Sequence, residues 1–371
     1  MKKVLYVATV LSHICQFHLP YLKMFKEKGY EIHVAARDNL AEKNGLQLQY
    51  ADKHFEIPFQ RSPFSPKNIK ALKQLKKLIN EERYDLIICN TPVGGILTRI
   101  AAKKARKQGA KVVYIAHGFH FYKGASKKNW LIYYPIEKHF AKKCDTLVTI
   151  TKEDYEFAKK KFKTNVVRIH GIGVDGERHH AISAQEKEQL REQFGVSSSE
   201  FICLCTGELN KNKNQKTLIQ LVPMLKGKIP GFQLWLAGNG PLKEELEAEI
   251  ARLSVQDCVK MLGYQPKIED YVRMSDVVVS VSKREGLPFN IVEAMLTKRP
   301  VVASINRGHR ELIVNEKNGF IVENSAAIVD KIVQLYENQE IYSQVIEDAY
   351  VYARDYTISS TMKEFEEYLE V

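Results

Sequence analysis

Two carboxylates stand eight positions apart in the segment Arg284-Glu285-Gly286-Leu287-Pro288-Phe289-Asn290-Ile291-Val292-Glu293. The apolar run 277–281 before them reads as a buried parallel strand, and 291–296 reads as a helix. Pro288 suits a first helical turn, where its missing N–H leaves no bond unmade. The pattern predicts a strand, a tight glycine turn and a helix start. Free N–H groups at such a start attract phosphate. Glu285 lies just before the turn and Glu293 about one turn inside the helix, so both could face one cleft. Carboxylates for hydroxyls, beside amides for phosphates, suit a sugar nucleotide. A solvated loop glutamate and a helix-capping glutamate would show the same spacing, so the neighbouring segments have to decide.

Gly207-Glu208-Leu209-Asn210-Lys211-Asn212-Lys213-Asn214-Gln215 follows a predicted strand at 201–205. A strand opening into a polar loop with lysines and then a helix is a phosphate-binding arrangement. Lys213 is the best-placed charge for a diphosphate, with Lys211 next. Asparagine-rich loops also serve as plain turns. Gly238-Asn239-Gly240-Pro241 ends the next predicted strand. Its glycine offsets are not those of a dinucleotide fingerprint, so a structural turn is expected. Gly263 and Tyr264 end a third strand, where backbone groups could read a nucleobase.

In the first half, His117-Gly118-Phe119-His120-Phe121-Tyr122 follows a predicted strand at 112–116. Ligands bind at such carboxyl ends of parallel strands. An imidazole there can donate to a developing charge or orient a sugar hydroxyl. For His120 a structural role is equally open. His13 and His18 stand near the end of the first strand and carry a weaker signal.

These segments must be held by alternating strands and helices. Strands are predicted at 4–8, 32–36, 86–89, 112–116, 146–150 and 166–169, with helices such as 69–80, 96–108 and 154–161 between them. Residues 171–185 interrupt the alternation and read as a linker. It restarts with strands at 201–205, 233–237, 259–262, 277–281 and 301–303, and 325–371 reads as almost wholly helical. Val222-Pro223 could kink the helix at 217–225. Strand–helix alternation predicts doubly wound parallel sheets. Two domains are expected, at 1–178 and 179–355, with a closing segment at 356–371 that could cross back to the first. A ligand cleft is expected at the carboxyl strand ends.

Composition narrows the class. The 371 residues are too many for one typical core. No apolar run approaches the ~20 residues that span a bilayer. The first apolar run is short and lacks a small-residue cleavage site, so a buried strand is expected rather than a signal peptide. Cys15, Cys89, Cys144, Cys203, Cys205 and Cys258 are scattered without zinc-like spacing, and buried thiols are expected. Residues 1–170 carry 33 Lys and Arg against 14 Asp and Glu, a net of +19. The chain total of +12 leaves −7 for the remainder. Lys67, Lys70, Lys73, Lys76 and Lys77 mark one basic helix, and Lys103, Lys104, Arg106 and Lys107 another, with Lys127 and Lys128 beyond the His117 loop. A solvated face would show such runs, but confinement to one half favours an anionic membrane surface or a polyphosphate acceptor. Nucleic acid is disfavoured, because no RNP-like strand or helix-turn-helix pattern occurs.

Taken together, the chain resembles the retaining glycosyltransferases of family 4, which have the two-domain GT-B fold. The resemblance is carried by Glu285-Gly286-Leu287-Pro288 with Glu293, Pro300-Val301-Val302-Ala303, Arg310-Glu311-Leu312-Ile313, Asn318-Gly319-Phe320, Gly238-Asn239-Gly240-Pro241 and Gly173-Val174-Asp175. It covers nearly the whole chain, and the ordered set is far more specific than any one piece. The His117 loop resembles the subgroup that builds bacterial exopolysaccharide, capsule and other glycan precursors on a lipid carrier.

The resemblance implies an α/β fold of two doubly wound Rossmann-like domains facing a central cleft. It implies a UDP-sugar donor, often an N-acetylhexosamine or hexose, and an undecaprenyl-diphosphate saccharide as acceptor at the cytoplasmic face of the membrane. Glu293 would hold the ribose hydroxyls, and Glu285 the donor sugar or reacting centre. Amides near Phe289 and Asn290 would meet the diphosphate, and Lys213 would neutralise the leaving phosphate. His117 would bind the donor sugar and help place the acceptor. Gly207 and Leu287 fall in the donor segments, and Ser12, His13 and His120 on the acceptor side. No Asp-x-Asp occurs, so neither a bound metal nor any cofactor beyond the UDP-sugar is expected. Two departures stand out. Glu208 occupies a position where many relatives carry arginine, and Thr9-Val10-Leu11-Ser12 replaces a glycine pair after the first strand. The alternatives are a UDP-sugar epimerase of the same fold and a non-catalytic scaffold at a membrane assembly site.

Overall fold

A computed structural model of the protein describes residues 1–42 and 45–369. The chain divides into two compact units. The first holds Met1–Ile172 and takes back the tail from Thr361; the second is Gly173–Ser360. The boundary therefore falls at Ile172 rather than at 178. The stretch read as a linker is built into the second unit. Val174 bridges to Thr357, and Ser183 closes a capping box that starts the helix Ala184–Gln193.

The first unit is a seven-stranded sheet: β1 (Lys3–Val10), β2 (Glu31–Arg37), β3 (Lys53–Glu56), β4 (Leu86–Asn90), β5 (Lys111–Ala116), β6 (Thr146–Thr149) and β7 (Asn165–Arg168). Their order is β3-β2-β1-β4-β5-β6-β7, with every pairing parallel. Sequence reasoning passed over β3. It is four residues long, lies at the sheet edge and is mostly exposed, so no apolar periodicity marks it. The helix expected at 96–108 is two, Pro92–Ala101 and Lys103–Lys107. Thr98 Oγ1 donates back to the Gly94 carbonyl at 2.7 Å, a bond that commonly bends helices. Under this layer Arg99 is buried, stacked on the Tyr114 ring and paired with Glu137 at 3.1 Å. The closing helix Ile358–Leu369 buries Phe365 edge-on against Tyr21, whose hydroxyl also meets Thr361 Oγ1.

The second unit is a six-stranded parallel sheet: β8 (Phe201–Thr206), β9 (Phe232–Ala237), β10 (Val259–Gly263), β11 (Val277–Ser280), β12 (Val301–Ser304) and β13 (Phe320–Val322). Their order is β10-β9-β8-β11-β12-β13. The three-residue β13 was also missed, being too short to show a period. Pro223 stands inside the helix Gln215–Lys228. Each unit winds outward one way, then returns and winds the other. The reversal lies between β1 and β4 in the first unit, and between β8 and β11 in the second. Crevices at the carboxyl ends of such strand pairs are where open α/β sheets bind ligands. Lys213 follows β8 and Glu285 follows β11, while His13 follows β1 and Asn90 ends β4. All six cysteines are free and buried. Among the described residues no helix is long and apolar enough to cross a membrane.

Candidate active site

In the second unit the loop after β8 is shaped by its asparagines. Asn210 Oδ1 accepts from the Asn212 and Lys213 N–H groups at 3.0 and 2.9 Å, which turns the chain. Asn214 takes a left-handed conformation at φ 58° just before the helix Gln215–Lys228. The turn chemistry and the phosphate reading are thus one arrangement, because the turn aims the lysine. The Lys213 stem lies across Gly207, where an added Cβ would sit 2.9 Å from Lys213 Cε. Lys213 Nζ ends 2.8 Å from Glu285 Oε1, joining the segments after β8 and β11. Asn212 strengthens that joint: its side chain donates to the Arg284 carbonyl, and its own carbonyl accepts from Lys283 N–H.

The helix after Glu285 is Phe289–Leu296, starting two residues earlier than the sequence suggested. Pro288 is its N-cap rather than a residue of the first turn, and no side chain caps it. Leu287 and Phe289 are half-buried and pack on the core beneath. Glu293 lies about one turn into this helix. Burial pushes its carboxyl up to about 7, against the pull of Arg178 and Lys213. His179 Nε2 stands 3.8 Å from Glu293 Oε1, beyond hydrogen-bond reach. Burial holds His179 down at about 4, so it adds no positive charge there near neutrality.

Two further segments brace the site. A Cβ on Gly308 would meet Glu285 Cβ at 2.6 Å and the Gly286 carbonyl at 2.7 Å. Next to it, the fully buried His309 bonds Ser280 Oγ at the end of β11. A Cβ on Gly240 would stand 2.4 Å from the Leu209 carbonyl and 2.5 Å from its nitrogen. The Gly238–Gly240 turn is therefore the backbone support of the lysine loop. Gly240→Ala is expected to destabilise the second unit by about 1–3 kcal/mol, the usual range for overpacking. It should weaken nucleotide binding in parallel, as thermal melts with and without UDP would show.

In the first unit, three histidines converge. His117 Nε2 lies 3.0 Å from Asn90 Oδ1 and 3.2 Å from His13 Nε2. His18 packs against both, with ring centroids 5.3 Å from His13 and 5.5 Å from His117. Burial keeps all three neutral: His13 falls to about 4, and His18 and His117 lie well below the ordinary range. The aromatic side chains of the His117 loop do not face a ligand. Phe119 and Phe121 stack at 4.8 Å and are core residues, joined by Trp130, Tyr134 and Phe157. His120 stacks on Tyr133 at 4.5 Å. Ser12 is buried, and Asn39 engages both its N–H and its hydroxyl.

Comparison with known proteins decides what this arrangement belongs to. The "Glycosyl transferase 4-like" family pattern matches residues 3–151, and the "Glycosyl transferases group 1" pattern matches 186–352. The chain is 42% identical to a putative glycosyltransferase, EpsD, of Bacillus subtilis (strain 168), over 98% of this chain and 95% of that one. The chain is a family 4 glycosyltransferase. This transferase is also 31% identical to an Escherichia coli UDP-Gal:alpha-D-GlcNAc-diphosphoundecaprenol alpha-1,3-galactosyltransferase, over 85% of its own length and 81% of that enzyme. Its fold matches the crystal structure of Anabaena Alr3699/HepE in complex with UDP and glucose, at 21% identity and a TM-score of 0.78 over the whole of both chains. The fold is GT-B.

Within this glycosyltransferase, Gly207, Lys213, Glu285, Leu287, Phe289, Asn290 and Glu293 lie on the segments after β8 and β11. Gly263 and Tyr264 lie at the end of β10. The Gly263 carbonyl accepts from Gly238 N–H, and Tyr264 is exposed. Lys211 is exposed, unlike the half-buried Lys213. His13 joins His117, whereas Ser12 and His120 are held by their own neighbours. Sequence reasoning missed Asn90, Asn212, Gly308 and His309. Asn90, a polar residue ending an apolar strand, and Gly308, a glycine in a first helical turn, were signals available to it.

Proposed function

We propose that this glycosyltransferase moves a sugar from a UDP-sugar to an undecaprenyl-diphosphate-linked saccharide, with the anomeric configuration retained, in exopolysaccharide or capsule assembly. One observation carries the donor half. A lysine and two carboxylates gather around an uncapped helix start at the strand-order reversal of the second unit. That set matches a sugar nucleotide group by group. Helix amides and Lys213 take the diphosphate, Glu293 the ribose hydroxyls, and Glu285 the sugar. UDP and glucose in the HepE crystal support the donor class, and the lipid-diphosphate acceptor named for the E. coli relative supports the acceptor class.

The bond between the anomeric carbon and the phosphate oxygen breaks on the face from which the acceptor oxygen attacks. The acceptor's proton passes to the departing phosphate oxygen. Lys213 and the helix amides stabilise the charge on that phosphate, and holding both reactants together lowers the barrier further. Asn90 Oδ1 accepts from His117 Nε2–H and fixes the ring, leaving Nδ1 to accept from a sugar hydroxyl. No step calls for a metal. The test is a transfer assay with a panel of UDP-sugars and a synthetic polyprenyl-diphosphate saccharide, resolving the anomer formed. A retained-configuration product that depends on the acceptor supports the reading. Donor turnover without acceptor, or an inverted product, refutes it.

An undecaprenyl-diphosphate acceptor would be met at the inner face of the cell membrane. The first unit suits that surface. The helix Lys67–Glu82 exposes Lys67, Lys70, Lys73, Lys76 and Lys77 together with Ile69. The helix Lys127–Ala141 exposes Lys127, Lys128 and Lys138 around Leu131, which is 77% exposed. Binding to vesicles containing anionic lipid should weaken about fivefold for each lysine changed to glutamine, the equivalent of ~1 kcal/mol per charge, and should fall with salt. Sedimentation that ignores both would remove the membrane from the proposal.

A further inference from the structure

Among the described residues, two groups could bring three metal-binding atoms together: His13, His18 and His117, and Glu31, His33 and Glu82. The second is satisfied by its surroundings. Lys3 pairs with both glutamates, and the His33 nitrogens meet Tyr84 Oη and Glu31 Oε1, each at 2.8 Å. The first is not satisfied. His18 is fully buried, and neither of its ring nitrogens has a hydrogen-bond partner. Tyr6, whose ring lies 5.9 Å from His18, has a buried hydroxyl in the same condition. Buried polar atoms left unmatched are costly and rare, and they call for an occupant.

The geometry says which occupant fits. One ring nitrogen from each of the three histidines lies within 4.8 Å of the others, and the His13 and His117 Nε2 atoms are 3.2 Å apart. Nitrogen ligands at about 2.0–2.1 Å from a tetrahedral zinc stand about 3.3 Å from each other. We propose that His13, His18 and His117 form a binding site for a divalent cation of the zinc class, and that filling it inhibits sugar transfer. An all-imidazole donor set suits zinc, copper or nickel rather than magnesium or calcium, which prefer oxygen. The cation takes the Nε2 lone pair of neutral His117, so the ring proton moves from Nε2 to Nδ1 and none is released. Three imidazoles leave one tetrahedral position for water. His13 and His117 are only half-buried, which gives the ion a way in.

The inhibition rests on the sugar-binding role proposed for His117, because an imidazole bound to metal through Nε2 carries its proton on Nδ1, which can then no longer accept from a sugar hydroxyl. The binding itself does not rest on that role. Untagged full-length protein is titrated with Co²⁺, whose tetrahedral nitrogen complexes absorb visible light, and Zn²⁺ is then added as competitor. The expected result is one Co²⁺ per chain, displaced by Zn²⁺, with binding at least about tenfold weaker in both His13→Ala and His18→Ala. Because His18 is buried, the His13→Ala result decides if the His18 variant fails to fold. Zn²⁺ should lower transfer by wild type at least about tenfold, and a chelator should restore it. Absence of a tetrahedral cobalt spectrum, or binding indifferent to His13, would overturn the site and leave an ordered water as the partner of His18. Tight binding without inhibition would overturn the inhibitory half alone and count against the role of His117.

Discussion

Lys213→Ala is expected to lower kcat by about a hundred- to a thousandfold, the effect of removing one preorganised group from a developing charge. The lysine stem is fixed across Gly207, and its ammonium is held 2.8 Å from Glu285 by the asparagine turn. Little reorganisation is therefore needed as charge grows on the departing diphosphate. The loss should fall mainly on kcat, since that charge is greatest in the transition state. Glu285 keeps 15% of its side-chain exposure. The carboxylate left behind is thus largely buried, and stability should drop by about 1–3 kcal/mol. Lys213→Arg should recover part of the rate, because it keeps the charge but not the compact ammonium geometry. Steady-state release of UDP measures all three proteins. A fall smaller than about threefold in Lys213→Ala would remove the lysine from the leaving group.

Glu293→Gln is expected to weaken UDP-sugar binding by about a hundredfold while stabilising the protein at alkaline pH. A carboxylate that accepts two ribose hydroxyls makes charge-assisted bonds of about 1.5–3 kcal/mol. An amide that must also place two N–H donors cannot reproduce them. The Glu293 carboxyl titrates near 7, above its ordinary value of 4.5, so the folded state holds its proton more tightly than the unfolded chain does. Stability from this group is complete below pH 4.5 and is lost as pH rises through 7. The neutral amide escapes that loss, which at pH 8 is about 3 kcal/mol, or a melting-temperature gain of several degrees. Donor binding has the opposite slope. It needs the carboxylate, so wild-type affinity should fall by up to about tenfold per unit below pH 7. A UDP-sugar is the right probe, because its diphosphate has no titrating group in that range. A flat pH profile with unchanged affinity in the variant would take Glu293 out of the ribose site.

The legible parts of the chain were those where a period or a breaker carries a physical constraint. Eleven strands were recognised because each presents a run rich in β-branched or aliphatic residues, most of them buried. The two that escaped, β3 and β13, are three or four residues long and show no period. The segments proposed to hold the donor were noticeable because a loop that follows a parallel strand must emerge at the carboxyl end of the sheet. The joint between Lys213 and Glu285 was not readable. It depends on β11 lying beside β8 in the sheet, a pairing between residues some seventy positions apart that no local pattern encodes. The same limit hid the histidine trio. His13 and His117 were each noticed, but the contact between them follows from a strand order that places β4 and its Asn90 between their loops. The aromatic residues of the His117 loop were left unassigned for a different reason. Phe119 and Phe121 carry no period that tells a core residue from a loop one, and both turn inward to a hydrophobic cluster.

The central claim is that the crevice between the ends of β8 and β11 is a nucleotide-diphosphate site. A crystal structure of the protein soaked with UDP tests it most directly. The expected density places the diphosphate within 3.2 Å of Lys213 Nζ and the first amides of the helix Phe289–Leu296, with both ribose hydroxyls on the Glu293 carboxylate. UDP bound elsewhere in the second unit, or with its phosphates turned away from Lys213, would contradict the claim.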